Sequence, residues 1–415
     1  MSTGKQVKAR KNKPRQRARS AALWPVTCVP PEEIGLSASR LGRVDEMVRR
    51  WLDEGTVAGA VTLVYRRGRI GHLACHGYLD LETRRPMRED AIFRIYSMTK
   101  IVTSVAVLML LEEGRFLLTD DVSRFIPEFK DLRVAVTGAD GQPELIRPRR
   151  EVTLHDLLTH TGGLTYEGCR EAVAYGKTLQ QFVADFCKIP LCRHPGEAWN
   201  YSASVDVLGR VIEVVTGQSF DVFLQERIFT PLGMTDTAFW VPPGKRDRFA
   251  TMYKPGADGR LVACDDLPSF PDRKTPPYTE PPAFLSGGGG LVSTTSDMLR
   301  LGLMLLGGGQ WNGVRLLSRK TVELMTADHL PAGHPPIQPF GFGFGLGVSV
   351  VRRLGELRKL GSIGEFGWGG AACTQMWIDP VEDMIPVIML QYQPVSSSGL
   401  VTDLFKHVAY QAIND

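Results

Sequence analysis

The chain has 415 residues, a length that suits one large two-lobed unit or two to three small domains. It is 43% hydrophobic and 23% charged, a composition typical of a soluble globular protein. The first 20 residues hold eight lysines and arginines and no acidic residue, and removing those eight from the 49 basic residues leaves 41 against 45 acidic ones. The body is therefore mildly acidic, which argues against a nucleic-acid partner. No apolar run in the sequence reaches the roughly 18 residues that a membrane-spanning helix needs.

The charge pattern divides the chain into a basic, disordered tail, residues 1–30, and a folded body, residues 31–415. The seven cysteines are odd in number and scattered, a pattern that favours reduced thiols and a cytoplasmic location over a disulfide framework. The expected partner is a small molecule, without a membrane or a nucleic acid.

Hydrophobic periodicity predicts strands and a helix at each end of the body, with helices between them. The predicted helices are 41–51, 101–111, 152–160, 179–186, 205–216, 220–228, 293–306, 318–326 and 400–412, and the predicted strands are 59–65, 70–78, 342–351, 357–363, 371–378 and 385–392. The two ends, residues 31–115 and 335–415, would share one antiparallel sheet with helices on it, and residues 116–334 would form an inserted, mostly helical lobe.

Ser97-Met98-Thr99-Lys100 lies where an extended run gives way to an apolar helix. A serine at a helix start is close to unpaired backbone N–H groups, and a lysine three residues later shares its helical face. Burial would favour the neutral amine, so Lys100 could act as a base toward a Ser97 nucleophile. The same spacing occurs at Ser2 and Lys5 in the tail, so an ordinary helix N-cap is the alternative interpretation of Ser97.

Two later stretches could meet Ser97. A Pro-Gly turn leads to Tyr201 before a long apolar helix, where a phenolate beside a cation could take the serine proton; the alternative is a packing residue. Residues 365–371, of sequence E-F-G-W-G-G-A, open a predicted strand. Their glycines would permit the close approach that an oxyanion hole requires; the alternative is a strand-initiating turn.

Other catalytic patterns do not occur in the sequence. It contains no G-x-S-x-G elbow, no dinucleotide-binding G-x-G-x-x-G after a strand and no P-loop. His155, Asp156 and His160 cluster, but they do not match H-E-x-x-H and no third ligand is evident, which favours hydrogen bonding at a helix end over a metal site. We therefore predict neither a metal nor a cofactor.

In combination, S-x-x-K at Ser97, Y-S-x at Tyr201 and the Gly-rich strand start resemble the penicillin-recognising serine hydrolases, with the order and spacing of the class C β-lactamase and D-alanyl-D-alanine carboxypeptidase branch. Segments 157–164 (LLTHTGGL) and 288–297 (GGGLVSTTSD) look like framework segments of that family, and the resemblance covers roughly residues 30–412. It implies a β-lactamase-like α+β fold, in which an antiparallel sheet with flanking helices carries an inserted helical lobe.

Two departures from the lactam-recognising members change the implied function. Ala203 stands where those members have an asparagine, and Trp368-Gly369-Gly370 stands where they have K-T-G. The missing lysine removes a cation that would hold the carboxylate of a β-lactam or peptide. A W-G-G motif is similar to that of the family VIII carboxylesterases, and related acyltransferases that modify statin precursors are also similar.

The resemblance therefore implies a carboxylesterase for short-chain acyl or aryl esters. Ser97 would form the acyl-enzyme, with Lys100 and Tyr201 as its catalytic partners. The residues implied for oxyanion and substrate binding are Ser97, Ala371, Trp368, Gly369 and Gly370. A β-lactamase, a D-amino-acid peptidase and an acyltransferase are the alternatives on the same fold, and a non-catalytic binding or sensor module is the alternative from another class.

Overall fold

The computed structural model describes residues 23–138, 140–167, 176–264, 266–267, 270–274, 278–331, 333–334, 337, 341–393 and 395–415. Residues 1–22 of the predicted tail lie outside these ranges. Residues 23–30 pack against the body, since Trp24 is buried and its indole Nε1 donates a hydrogen bond to Glu89 Oε2 at 2.9 Å.

The helices follow the predicted order closely. In the described ranges, the α-helices of four or more residues are α1 Ala38–Leu41, α2 Arg43–Asp53, α3 Thr99–Glu112, α4 Leu154–Leu158, α5 Leu179–Phe186, α6 Ser204–Thr216, α7 Phe220–Leu224, α8 Thr295–Leu306, α9 Arg319–Met325, α10 Leu354–Leu357 and α11 Val395–Tyr410. After α7 the chain continues as a π-helix, Gln225–Phe229, and a short α-helix, Thr230–Leu232. Several begin at a side-chain cap, in which a Ser or Thr hydroxyl accepts an otherwise unpaired N–H of the first turn. Ser37, Thr294 and Ser318 cap α1, α8 and α9 in this way.

The two ends of the chain share one sheet, as predicted. Its strands are β1 Gly59–Arg66, β2 Arg69–Asp80, β3 Arg85–Pro86, β4 Gly343–Phe344, β5 Ser349–Val350, β6 Phe366–Gly370, β7 Thr374–Ile378 and β8 Met384–Met389. In the described part of the chain they form an eight-stranded sheet of order β4-β5-β6-β7-β8-β1-β2-β3, antiparallel at each pairing. The N-terminal β1 pairs with the C-terminal β8.

Both faces of this sheet are covered, which explains why β1 reads as a continuous apolar run. Successive side chains of a strand point to opposite faces, so Val61 and Leu63 join the core shared with the helical lobe, whereas Ala60 and Val64 join the core beneath α2 and α11. Between the lobes, α3 is buried from Thr99 to Leu110, as expected for a helix that is apolar all round.

The C-terminal strand predictions need correction. The strand predicted at 357–363 is wrong: α10 ends at Leu357, and Leu360 and Ile363 lie on the surface, 44% and 62% exposed. The strand in this part of the chain is β6, which pairs with both β5 and β7. It was not predicted because its three glycines have a low strand propensity. The run predicted from Ala371 begins as a turn, and β7 starts at Thr374. The run 342–351 is divided into two short strands, β4 and β5.

The inserted lobe also contains short two-stranded ribbons, including Val134–Thr137 with Pro143–Ile146 and Tyr253–Pro255 with Leu261–Ala263. The second lies between the predicted helices 220–228 and 293–306. Among the residues that the structure describes, no helix is both long and apolar enough to cross a membrane.

Candidate active site

Ser97 lies in a 3₁₀ turn, Tyr96–Met98, that leads directly into α3. The short strand Phe93–Arg94 precedes this turn and pairs with Val292–Ser293, so the predicted extended-to-helical junction is present. Tyr96 adopts a left-handed φ of 41°, a costly conformation for a side chain of this size and one that clusters at functional sites. Ser97 is partly exposed although the residues on both sides of it are buried, so its hydroxyl can be reached from outside.

Lys100 lies one turn further along α3, completely buried, with its ammonium directed back at Ser97. Its Nζ donates hydrogen bonds to Gly288 O at 2.6 Å, to Ser97 Oγ at 3.2 Å and to Tyr166 Oη at 3.4 Å. The spacing of three residues therefore places serine and lysine on one helical face, as the sequence predicted.

Tyr201 approaches Ser97 from the other lobe. Its Oη donates a hydrogen bond to Ser97 Oγ at 2.8 Å, and Lys100 Nζ lies 4.6 Å from the centre of its ring. The structure thus brings Tyr201 together with Ser97 and Lys100, which lie about 100 residues earlier in the sequence.

The framework segment 157–164 holds the Tyr201 loop in place. Asn200 N donates to His160 O at 2.8 Å, and Asn200 Nδ2 donates to Leu164 O at 2.5 Å. A Cβ at Gly163 would lie 2.1 Å from Arg193 O, so glycine is required for this close backbone packing. These contacts fix the backbone just before Tyr201.

Trp368 completes the hydrogen-bond chain from β6. Its indole Nε1 donates to Tyr201 Oη at 3.1 Å, and the two ring centres are 5.5 Å apart. The ring centre of Trp368 lies 5.8 Å from that of Phe342 and 5.3 Å from that of Phe344. Trp199 stacks on Tyr201 at 5.8 Å and lies 5.7 Å from Phe344. We call Trp199, Phe342, Phe344 and Trp368 the aromatic wall.

The glycines after Trp368 bring the end of β6 against the Ser97 turn. A Cβ at Gly370 would lie 2.3 Å from Ile95 O, so a larger residue does not fit there. One at Gly369 would lie 1.8 Å from Gln375 Oε1, and the Gln375 side chain would have to move. Ala371 follows, and it packs against a cluster that includes Tyr96. The predicted oxyanion segment therefore lies beside the predicted nucleophile.

Sequence reasoning missed two residues of this site. Tyr166 contacts Lys100 and lies 5.7 Å, ring centre to ring centre, from Tyr201. Asp206, on α6, accepts hydrogen bonds from Ser286 Oγ at 2.5 Å and from Gly288 N at 3.0 Å, and so fixes the loop that supplies a carbonyl to Lys100. The tyrosine just after segment 157–164 and the glycine run at 287–290 were the available signals.

The His155, Asp156 and His160 cluster disperses in the structure. Asp156 forms the capping box of α4 with Thr153 and pairs with Arg150. His155 Nε2 lies 3.1 Å from the imidazole of His329. Among the described residues, no group of three or more His, Cys, Asp or Glu is arranged to hold a metal ion.

Asp206 gives the protein a specific pH dependence. Burial raises the pKa of Asp206, against the opposing effects of the Ser286 hydrogen bond and the Lys100 charge. Its contribution to the free energy of unfolding is therefore present below about pH 4 and is lost as pH rises through the raised pKa. We expect Asp206→Asn to lose less unfolding free energy than the wild type between about pH 4 and about pH 7, measured by urea denaturation.

The control for this comparison is Asp258→Asn, because Asp258 is exposed. Its profile should follow that of the wild type. Identical pH slopes for Asp206→Asn and the wild type would contradict the assignment.

The chain is similar to known proteins in both sequence and fold. The beta-lactamase family model matches residues 44–410. Protein Rv1367c of Mycobacterium tuberculosis is 36% identical over 364 residues, covering 84% of this chain and 89% of that protein. Esterase EstB of Burkholderia gladioli is 31% identical over 396 residues, covering 90% and 96%.

Among solved structures, the chain resembles "EstCE1, a hydrolase with promiscuous acyltransferase activity", with a TM-score of 0.75 and 26% identity over 91% of this chain and 99% of that one. This likeness confirms the predicted fold, an antiparallel sheet with flanking helices and an inserted lobe. The predicted resemblance to esterase-type serine hydrolases is also confirmed, and the chain belongs to the beta-lactamase family.

Proposed function

We propose that this protein is a carboxylesterase that hydrolyses short-chain acyl or aryl esters through an acyl-enzyme on Ser97. The observation that carries the proposal is the convergence of two proton-transfer groups on one hydroxyl: Tyr201 Oη lies 2.8 Å and Lys100 Nζ 3.2 Å from Ser97 Oγ. The similarity to the esterase EstB and to the hydrolase EstCE1 supports ester chemistry on this scaffold.

In the proposed first half-reaction, Ser97 Oγ attacks the ester carbonyl carbon. The serine proton passes to Tyr201 as phenolate or to Lys100 as neutral amine, and then to the leaving alkoxide, which departs as an alcohol. In the second half-reaction water attacks the acyl-serine and gives a proton to the same base. The base returns that proton to Ser97 Oγ as the acyl carbon–Oγ bond breaks and the acid is released. Backbone N–H groups of Ser97 and Ala371 would hold the carbonyl oxygen as it gains negative charge.

Trp368 has two parts in this proposal. Its indole N–H, donated to Tyr201 Oη, stabilises a phenolate without adding a charge. Its ring, with Phe342 and Phe344, offers an apolar surface where lactam-recognising members carry a lysine that binds carboxylates. An uncharged ester fits this surface better than a substrate with a free carboxylate.

The substrate test is a series of p-nitrophenyl esters. We expect the acetate and butyrate to be turned over fastest, with kcat/KM falling for long acyl chains, because the aromatic wall is built from large rings. Nitrocefin should be a poor substrate. Nitrocefin turnover equal to that of the esters would favour the β-lactamase or peptidase alternative instead.

An acyltransferase is the second candidate, and the promiscuous acyltransferase activity of the similar hydrolase EstCE1 is what favours it. The same acyl-enzyme would then be attacked by an alcohol rather than by water. Product analysis with an added acceptor alcohol separates the two: hydrolysis gives mainly the free acid, and transfer gives mainly a new ester.

A further inference from the structure

His160 has features that the proposed chemistry does not use. Its side chain is fully buried, and its backbone has a left-handed φ of 56°. The Nε2 atom is buried without a hydrogen-bond partner among the described residues. A strained backbone and an unpaired buried nitrogen each cost stability, and such costs concentrate at functional positions.

The imidazole of His160 packs directly against Tyr201. The two ring centres are 4.8 Å apart, and His160 also contacts Phe344 at 5.5 Å and Trp199 at 6.2 Å. His160 therefore packs between Tyr201 and two residues of the aromatic wall, Trp199 and Phe344.

The histidine ring is itself held in place. Its Nδ1 lies 3.3 Å from Ser202 Oγ, and Ser202 is the residue after Tyr201. Its carbonyl accepts the N–H of Asn200, the residue before Tyr201. His160 therefore contacts the tyrosine through its ring and binds both flanking residues.

We propose that His160 is the positioning residue of Tyr201, which sets the tyrosine ring so that its hydroxyl reaches Ser97. This inference rests on the proposed function, in which Tyr201 exchanges a proton with Ser97. His160 acts uncharged: burial, and secondarily the positive charge of Lys100, lower the pKa of His160 well below its ordinary value. Histidine is one of the few side chains that tolerate a left-handed backbone, and it supplies a flat ring with a polar edge for Ser202.

The test compares His160→Ala with His160→Phe, which keeps a ring. Loss of the ring frees Tyr201 to shift by a fraction of an ångström, so we expect kcat for p-nitrophenyl acetate to fall about 100-fold in His160→Ala with KM nearly unchanged. His160→Phe should stay within about tenfold of the wild type, and so should Ser202→Ala, which removes only the support of the ring.

His72→Ala is the control, because His72 is a partly buried histidine on β2 that hydrogen-bonds to Thr62 of the sheet. It should lose stability without losing kcat. Wild-type kcat in His160→Ala would overturn the inference, and so would a rise in KM alone. A His160→Phe variant that is folded but as slow as His160→Ala would also overturn it, because the nitrogens would then matter more than the ring.

Labelling of Ser97 by a fluorophosphonate separates this inference from the proposed function, since labelling needs the nucleophile but no ester turnover. If the wild type is labelled but does not hydrolyse esters, the proposed esterase function is contradicted and the positioning role of His160 is not. If wild type and His160→Ala are labelled at equal rates, the positioning role is contradicted and the esterase function is not.

Discussion

Ser97→Ala should lower kcat/KM for p-nitrophenyl acetate by at least about 10,000-fold while leaving the fold intact. The alanine removes the atom that attacks the carbonyl, and neither Lys100 nor Tyr201 can form the acyl-enzyme in its place. Ser97 is partly exposed in the middle of a turn, so the loss of one hydroxyl there should change the free energy of unfolding little. The comparison needs ester kinetics and the thermal unfolding temperature of both proteins.

The sequence supplies the matched control, Ser2→Ala, in the other S-x-x-K of the chain. This variant should have wild-type kinetics. If Ser97→Ala kept most of the activity, a different nucleophile would be required and the site described above would not be the active site.

Tyr201→Phe should reduce kcat by about 100- to 10,000-fold, the range expected for loss of a group that transfers a proton in the transition state. The substitution keeps the ring packed against His160 and Trp368 and removes only the hydroxyl that contacts Ser97. KM should change little, because the hydroxyl acts on the serine and not on the bound ester.

Tyr166→Phe is the control for this variant. The Tyr166 hydroxyl accepts a hydrogen bond from the Lys100 ammonium at 3.4 Å. We expect a loss of about tenfold or less, since the pair of Tyr201 and Lys100 remains in contact with Ser97. Equal losses in the two variants would contradict a special role for Tyr201, and a small effect of Tyr201→Phe alone would point to Lys100 as the base.

Local patterns carried the predictions that succeeded. Hydrophobic periodicity acts within one helix, and α8 and α9 begin within two residues of the predicted starts, after the caps Thr294 and Ser318. Lys100 could be placed on the face of Ser97 because three residues of helix fix that geometry. The shared sheet followed from strands at both ends of the chain, and the family resemblance linked Tyr201 and Trp368 to the serine.

Long-range packing decided what the sequence alone did not reveal. Asp206 is an ordinary acidic residue on an apolar helix until the loop at Ser286 and Gly288 folds onto it. His160 was predicted only to form hydrogen bonds at a helix end, because its contact with Tyr201 is made across two loops. The strand predicted at 357–363 was wrong because Leu360 and Ile363 are apolar but exposed, and periodicity does not distinguish that case from burial.

The central claim, that Ser97 carries the acyl group, is tested most directly by mass spectrometry of the protein quenched during turnover of a p-nitrophenyl ester. We predict that the wild type gains the mass of one acyl group, that the acyl group maps to the peptide containing Ser97, and that Ser97→Ala gains none. An acyl group on another residue, or ester turnover with no acyl-protein even under rapid quenching, would contradict it.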